Sequence, residues 1–433
     1  MRTVCIIQAR MGSSRLPGKV MKDLNGHPVL WHVIERVRTA GKQIDEVVVA
    51  TSTLPPDNII EENCKNWGIP CFRGDELDVL SRYHGAAKLY KAECVIRVTA
   101  DCPLLDPEVL EAMLKRWKKE KVDYLSNVIP IRTFPKGLDI EMFTYEALDR
   151  AFKLATENYD REHVTPYIYK HPEVFRIFSY TNDKDLSVHR WTLDTPEDME
   201  LISYIYKKLP TNNNTKNILK LFKKEPALMT INQPEHVSKG IILYLGYADS
   251  PVVEFLRNKG YTVHSTNMKI DERMIKPINL DALVSYGYRY IIDRKVLKRF
   301  KKEKAMNLHI SYLPWNRGAD PNLWSFVDNT PKGVSIHCID EGIDTGDILL
   351  QQEVNLDSEG TLATTYKSLR ENMDKLFMDN YQQLLEAAIK PRKQEGIGSY
   401  HNSSDKKKLA HLLSKGWDTP VMKLVEHGTK NKN

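Results

Sequence analysis

Arg10, Arg15 and Lys19 place three cations within ten residues, interleaved with Gly12, Ser13 and Ser14. Small residues leave backbone N–H groups uncovered, and such groups beside cations hold phosphate. The spacing is not that of a Walker A loop, which has four residues between its glycines and Ser or Thr after the Lys. Here five residues part Gly12 from Gly18, and Val20 follows Lys19. Two carboxylates further along suit phosphate chemistry. Asp101 stands just past the strand pattern 93–99, and a hard cation such as Mg²⁺ takes one or two carboxylates with phosphate oxygens and water. Asp194 also follows a strand pattern. The run Asp194-Thr-Pro-Glu-Asp198 reads equally well as a helix start, with Asp194 or Thr195 as cap and Pro196 first in the helix. A second set lies beyond residue 300. Asn307, His309 and Ser311 alternate with Leu308 and Ile310, so three polar groups share one strand face. Asp344 follows the next strand pattern, in a turn with Gly346.

The elements that must carry these groups are readable from periodicity. Val4-Cys-Ile-Ile7 is a buried strand, and Leu30, Val33, Ile34 and Val37 form a helical stripe, so the cationic loop joins strand to helix. Strands follow over 46–51, 70–73 and 93–99, with a turn at Pro55-Pro56 and helices from Asn58 and over 77–89. This alternation implies a largely parallel sheet that binds ligands at the C-terminal ends of its strands. From Asp123 the pattern changes. Strands are expected over 124–126, 138–143, 175–180 and 188–193, some antiparallel, with helices over 145–156 and 197–208. A strand over 138–143 would turn Asp139 and Glu141 to one side. A second first strand covers 241–245, followed by a loop at 246–250 and a helix over 252–259 that Gly260 caps. Strands over 261–264, 282–285 and 306–310 and a helix over 294–304 complete a second αβ start. The division is therefore a domain over 1–225, a linker over 226–239 and a domain over 240–433. The tail 428–433 is expected to fray.

A chain of 433 residues exceeds one typical core. Its 41% hydrophobic and 28% charged residues are ordinary for a soluble globular protein. No apolar run is long enough to cross a bilayer, and no leader pattern precedes the first strand, so a cytoplasmic protein without membrane insertion is expected. Six cysteines without C-x-x-C spacing suit reduced, buried thiols rather than disulfides or zinc. A net charge of +6 suits small anionic substrates, and no basic face with interleaved aromatics argues for nucleic acid. A homodimer is compatible with the composition.

The loop, Asp101-Cys-Pro, Phe134-Pro-Lys-Gly-Leu-Asp-Ile-Glu141, Arg161-Glu-His-Val-Thr-Pro-Tyr167 and Asp194-Thr-Pro-Glu-Asp occur in the order found in sugar nucleotidyltransferases. Residues 2–210 most closely resemble the spore-coat polysaccharide cytidylyltransferase-like family. The resemblance implies an α/β fold with a mixed, mostly parallel nucleotidyltransferase (GT-A-like) sheet. It implies CTP as substrate, a small-molecule sugar acceptor, and Mg²⁺ on Asp101 and Asp194. Gly12, Ser13 and Ser14 would wrap the triphosphate, and Arg10, Arg15 and Lys19 would hold its charge, with Arg15 and Lys19 nearest the chemistry. Gln8, Ala9, Thr51 and Ser52 sit where strands end and would edge the base. Asp139 and Glu141 would line the acceptor pocket or assist the metal, or be exposed strand carboxylates, and Arg161 and His163 would lie near the acceptor, with a structural histidine at a helix start as the alternative for His163. The acceptor oxygen would attack the α-phosphorus and expel pyrophosphate, a reaction that needs positioning and charge neutralisation. A glycosyltransferase is the rival reading of such a sheet. Its usual Asp-x-Asp occurs as Asp183-Lys-Asp185, but in a turn composition.

The stretch Met306–Gly318 and the run Gly333–Gly346 resemble formyltransferases that use N10-formyltetrahydrofolate, including sugar-amine formyltransferases. The resemblance implies a Rossmann-like domain with Asn307, His309 and Asp344 as its catalytic trio. Only three strand patterns precede Asn307, fewer than that family usually carries, so the domain reads as shortened. The expectation is a bifunctional enzyme of surface-polysaccharide biosynthesis that transfers a cytidylyl group to an acidic sugar and formylates a sugar amine. The alternative for the second domain is a non-catalytic module that presents the acceptor.

Overall fold

The structure, a computed structural model, describes residues 1–41, 43–233, 238–247 and 249–430. The chain forms two compact units, Met1–His236 and Val237–Asn433.

The first unit is built on strand β1 (Thr3–Gln8). After the cationic loop comes a two-residue hairpin, β2 (Asp23–Leu24) and β3 (His27–Pro28), which turns on the left-handed Asn25-Gly26 pair. Strands β4 (Glu46–Ser52), β5 (Cys71–Gly74), β6 (Cys94–Thr99), β7 (Tyr124–Ser126), β8 (Glu141–Thr144) and β9 (Ile177–Ser179) complete the unit. The seven-stranded sheet has the order β5-β4-β1-β6-β8-β7-β9. Its first four strands run parallel, and β8 is antiparallel to both β6 and β7. β-branched residues fill both faces, as a doubly covered sheet demands. Cys5, Ile7 and Val49 pack on one side, while Val4, Ile6 and Val48 pack with Val79, Leu80 and Tyr83 of helix Val79–Leu89 on the other.

The second unit has six strands in the order β11-β10-β12-β13-β15-β16. They are β10 (Ile241–Gly246), β11 (Thr262–Thr266), β12 (Ala282–Tyr286), β13 (Ala305–His309), β15 (Gly333–Cys338) and β16 (Ile348–Glu353). The first four are parallel, and β15 and β16 run antiparallel. A short pair, β14 (Arg317–Gly318) with β17 (Tyr400–His401), ties the late chain to the loop after β13. The 24-residue helix Leu362–Leu385 lays Leu369, Met373 and Phe377 on this sheet.

Four expectations need correction. The run 188–193 is not a strand: only a bridge between Arg190 and Lys136 forms, because Trp191 and Leu193 are buried among helices rather than on a sheet face. The strand expected from 138 begins at Glu141, so Asp139 and Glu141 do not share a strand face. The helix expected over 294–304 is broken into Arg294–Leu297 and a short 3₁₀ turn Lys302–Lys304. Arg299, between them, is pulled onto the carbonyls of Ile275 and Ile278. The tail stays helical to Lys430, and 431–433 lie outside the described residues, as do 234–237 of the expected linker and Ala248 of the 246–250 loop. No helix of the described residues is long and apolar enough to cross a membrane.

Candidate active sites

The first site forms where the parallel strands end. The β1 loop is fixed by short-range bonds: Gly18 N–H donates to Met11 O at 3.1 Å and Leu16 N–H to Ser13 Oγ at 3.3 Å. Gly18 sits at φ 67°, a left-handed conformation that suits glycine, and opens the turn that carries Lys19. Buried Asp57 anchors the loop to the neighbouring strand. It accepts Met11 N–H at 2.7 Å, Ser52 N–H at 3.1 Å and Ser52 Oγ–H at 2.5 Å.

Asp101 and Asp194 are 93 positions apart, yet one hydrogen bond sets their segments side by side: Leu193 N–H donates to Asp101 O at 2.8 Å. Helix Pro196–Lys208 begins with a capping box between Thr195 and Asp198. Thr195 is therefore the cap, and the Asp194 side chain is left for the site. Asp198, fully buried, accepts from Asp194 N–H at 2.8 Å and from Nε and Nη2 of Arg190.

Lys19 Nζ donates to Asp101 Oδ2 at 2.6 Å and to Asp194 Oδ1 at 2.7 Å. Arg15 lies 3.2 Å and Arg190 2.9 Å from Asp194 Oδ2. Burial alone would raise the Asp194 pKa. The hydrogen bond and charge of Lys19, with Arg190 and Arg15, outweigh it and bring the carboxyl down to about 2. Burial would likewise lower the Lys19 pKa, but the two carboxylates raise it. Two carboxylates that converge on one ammonium define a cation position. No group of three or more His, Cys, Asp or Glu side chains among the described residues could hold a metal. Two hard oxygen donors are the protein's share of the set that Mg²⁺ uses beside phosphate oxygens and water, so the residues fit that ion.

The structure gathers Arg15, Lys19, Asp101 and Asp194 into one cluster. Gly12, Ser13 and Ser14 stand in the loop beside them, and Arg10 makes no hydrogen bond or ion pair among the described residues. Gln8 and Ala9 close β1, and Thr51 and Ser52 close β4. The Thr51 hydroxyl is buried without a hydrogen-bond partner among the described residues. The four residues expected at the acceptor do not form one group. Asp139 pairs with Arg132, and Glu141 pairs with Arg97 and accepts the hydroxyls of Tyr124 and Thr165. Arg161 is held by Asp78 and the carbonyls of Phe152 and Ala155, and His163 is exposed against the Tyr159 ring. Sequence reasoning missed Arg190, Asp57 and Asp198. Asp198 had a signal in the capping-box spacing from Thr195.

In the second site β13 presents Asn307 and His309 on one face. Asn307 Nδ2 donates to Asp344 Oδ1 at 3.0 Å, and Gly318 N–H donates to Asp344 Oδ2 at 2.8 Å. Asp344 sits at φ 54°, which turns its carboxylate back onto the sheet. Close approach of the same turn requires Gly346, where a Cβ would lie 1.7 Å from Cys338 O. His309 Nε2 donates to Asn316 O at 2.9 Å, and its Nδ1 is 3.5 Å from Asp344 Oδ2. The antiparallel register sets His337 opposite Asn307, and its Nε2 lies 3.3 Å from Asp344 Oδ1. Burial would raise the Asp344 pKa, but His309, His337 and the Gly318 N–H hold it well below the usual carboxylate range. Ser311, expected beside the trio, instead donates to Trp315 O at 2.8 Å and shapes the following loop. His337 was missed, although it alternates with Ser335 on the face of β15 that meets β13.

Known proteins resemble the two parts of the chain separately. The family model for cytidylyltransferases matches residues 4–225, and that for formyl transferases matches residues 241–380. The spore coat polysaccharide biosynthesis protein SpsF of Bacillus subtilis is 36% identical over 209 residues, 47% of this chain and 85% of that protein. A cytidylyltransferase structure from Leptospira borgpetersenii is 34% identical with a TM-score of 0.51, over 55% of this chain and 99% of its own. The formyltransferase PseJ from Anoxybacillus kamchatkensis, solved with UDP-4,6-dideoxy-4-formamido-L-AltNAc and tetrahydrofolate, is 46% identical. It is covered in full by 44% of this chain, with a TM-score of 0.42.

Proposed function

The chain belongs to the cytidylyltransferase family and carries a formyltransferase domain behind it, and from that premise we propose a two-step role in surface-polysaccharide biosynthesis. The domain over 1–225 transfers a cytidylyl group from CTP to an acidic sugar. The domain over 240–433, past a linker at 226–239, formylates a sugar amine. The observation that carries the first assignment is the single ammonium shared by Asp101 and Asp194. Lys19 occupies the space between two carboxylates and is drawn to phosphate when a triphosphate arrives. Arg10 and Arg15 neutralise the remaining phosphate charge, and the loop N–H groups of Gly12, Ser13 and Ser14 wrap it. Asp101 and Asp194 would hold Mg²⁺, which when bound supplies charge neutralisation at the α-phosphate. Gln8, Ala9, Thr51 and Ser52 frame the base.

For the second reaction, formyl carried by a reduced folate meets an amine beside Asn307, His309 and Asp344. His309 keeps Nε2–H on Asn316 O, so with a second proton on Nδ1, 3.5 Å from Asp344, the ring would donate Nδ1–H to the formyl oxygen as charge develops there. Asn307 supplies a second donor. Asp344, ionised, holds both side chains and helps move the amine proton.

Two assays test the proposal. Pyrophosphate release should require CTP, Mg²⁺ and an acid sugar and should vanish in Asp101→Ala. A glycosyltransferase would instead release nucleoside diphosphate from a nucleotide sugar. Folate-dependent formylation of an amino sugar should vanish in His309→Ala, and an absence of formylation by the unaltered chain with every amino sugar tried would leave the second domain a binding module.

A further inference from the structure

Helix Asn58–Asn66 ends in a cap that sets two thiols against each other. Gly68 takes the left-handed conformation, at φ 66°, and closes the cap. Gly68 N–H donates to Lys65 O at 3.2 Å and Ile69 N–H to Cys64 O at 2.8 Å, the paired bonds of a Schellman motif. The chain reverses there, so Cys71 comes back beside Cys64. Val49 N–H donates to Pro70 O at 2.9 Å, and Cys71 then opens β5 as the register partner of Val49. Register partners turn to the same side of a sheet. On that side Val49 and Cys64 share one core, Cys71 packs against it, and the Cys64 and Cys71 thiols are hydrogen-bonded to each other.

The two thiols are unlike. Cys64 is fully buried and Cys71 only partly. The hydrogen bond from Cys64 holds the Cys71 thiol below its usual range. Burial, Glu61 and Asp57 oppose this, and Arg73, two residues along the same face of β5, supports it. Cys64 moves the other way, pushed up by the same bond and by burial. A reachable thiolate beside an enclosed thiol is the arrangement of an attacking and a resolving cysteine. Cys5, Cys94, Cys102 and Cys338 are buried, burial pushes their thiols up, and they are inert by the same criterion.

We propose that Cys64 and Cys71 are a reversible thiol–disulfide pair, oxidised by low-molecular-weight disulfides. The Cys71 thiolate attacks one sulfur of the small disulfide, whose S–S bond breaks and releases one small thiolate. Cys64 then loses its proton and attacks Cys71 Sγ, which expels the second small thiolate. Two protein thiols are oxidised, and one small disulfide is reduced to two thiols. The new bond joins the last turn of helix Asn58–Asn66 to the edge strand β5. The same helix begins after Asp57, whose carboxylate holds Met11 of the phosphate loop and Ser52, so the bond lies in the element that braces the first site.

Intact-mass analysis of the folded, full chain after treatment with oxidised glutathione tests this. The unaltered chain should lose two hydrogens, leave four of its six thiols to an alkylating agent in denaturant, and yield a Cys64–Cys71 cross-linked peptide on digestion. A dithiol reductant should restore all six. Cys64→Ser should stop with one glutathione on Cys71, because no second thiol resolves it. Cys71→Ser should take up no glutathione while folded. Thiols that all stay reduced in the unaltered chain overturn the proposal, whether or not either variant folds, and so does a disulfide between any other two cysteines. Glutathione retained on Cys71 of the unaltered chain overturns it as well, since Cys64 would then be out of reach. Equal uptake of glutathione by the two folded variants would overturn the order of attack.

Discussion

Lys19 decides the charge balance of the first site, because both carboxylates there lean on one ammonium. Asp194 is the more dependent partner. With its pKa down at about 2, against roughly 3.9 for a free aspartate, it stabilises the fold by about 2 kcal/mol near neutrality. The folded value lies below the unfolded one, so this contribution is present above about pH 4 and disappears as pH falls through 2. Urea unfolding of Asp194→Asn should show a deficit of about 2 kcal/mol at pH 7 that closes between pH 4 and 2. A deficit independent of pH would show that the charge is not what Asp194 contributes. Asp344 is open to a cleaner substitution. Asparagine also tolerates the left-handed φ of 54°, so Asp344→Asn keeps the turn while it removes the charge and one of the two oxygens that accept from Asn307 and Gly318. Formyl transfer should drop by roughly 10²–10⁴-fold, as for loss of a proton-transfer group, and the melting temperature should fall with it, because the ionised carboxylate also stabilises the fold. Asn307, His309 and Asp344 were all visible in the sequence as polar groups at strand ends. His337 was not, because only the antiparallel register places it opposite Asn307.

At the scale of elements, the chain 135–137 is the brace behind Asp194. Lys136 N–H donates to His189 O at 2.9 Å, and Trp191 N–H donates to Lys136 O. Gly137, at φ 108°, lies so close that a Cβ would be 2.6 Å from the Thr192 nitrogen. Gly137→Ala must push the 191–194 segment away, at a cost of at least about 2 kcal/mol. Cytidylyl transfer should fall with it, while formyl transfer, built on other strands, keeps its rate; parallel assays on one preparation decide this. The same brace explains what sequence reading missed. Alternation in Val188–Leu193 looks like a strand, but Trp191 and Leu193 pack against Leu201, Ile205 and Phe222 of two helices. Period-two burial was legible, and its partner was not. The parallel strands β1, β4, β6, β10, β12 and β13 were legible because each is an apolar run ended by small or polar residues. Helix Leu362–Leu385 escaped notice because its buried stripe includes Thr365 and is interrupted by charged residues.

At the scale of the molecule, each unit holds one of the two candidate sites and a core of its own. Arg15, Lys19, Asp101 and Asp194 all lie within Met1–His236, and Asn307, His309, His337 and Asp344 all lie within Val237–Asn433. Allostery would need a two-state element that both sites bias. Independence is therefore the expectation. Asp101→Asn should abolish pyrophosphate release and leave formyl transfer within about twofold, and His309→Ala should do the reverse. A mixture of the two full-length variants should then carry out both reactions at the rates of the unaltered chain, provided the intermediate diffuses between molecules. If the mixture lags at low enzyme concentration and recovers as concentration rises, transfer of the intermediate within one chain, rather than either chemical step, is what joining the two domains provides.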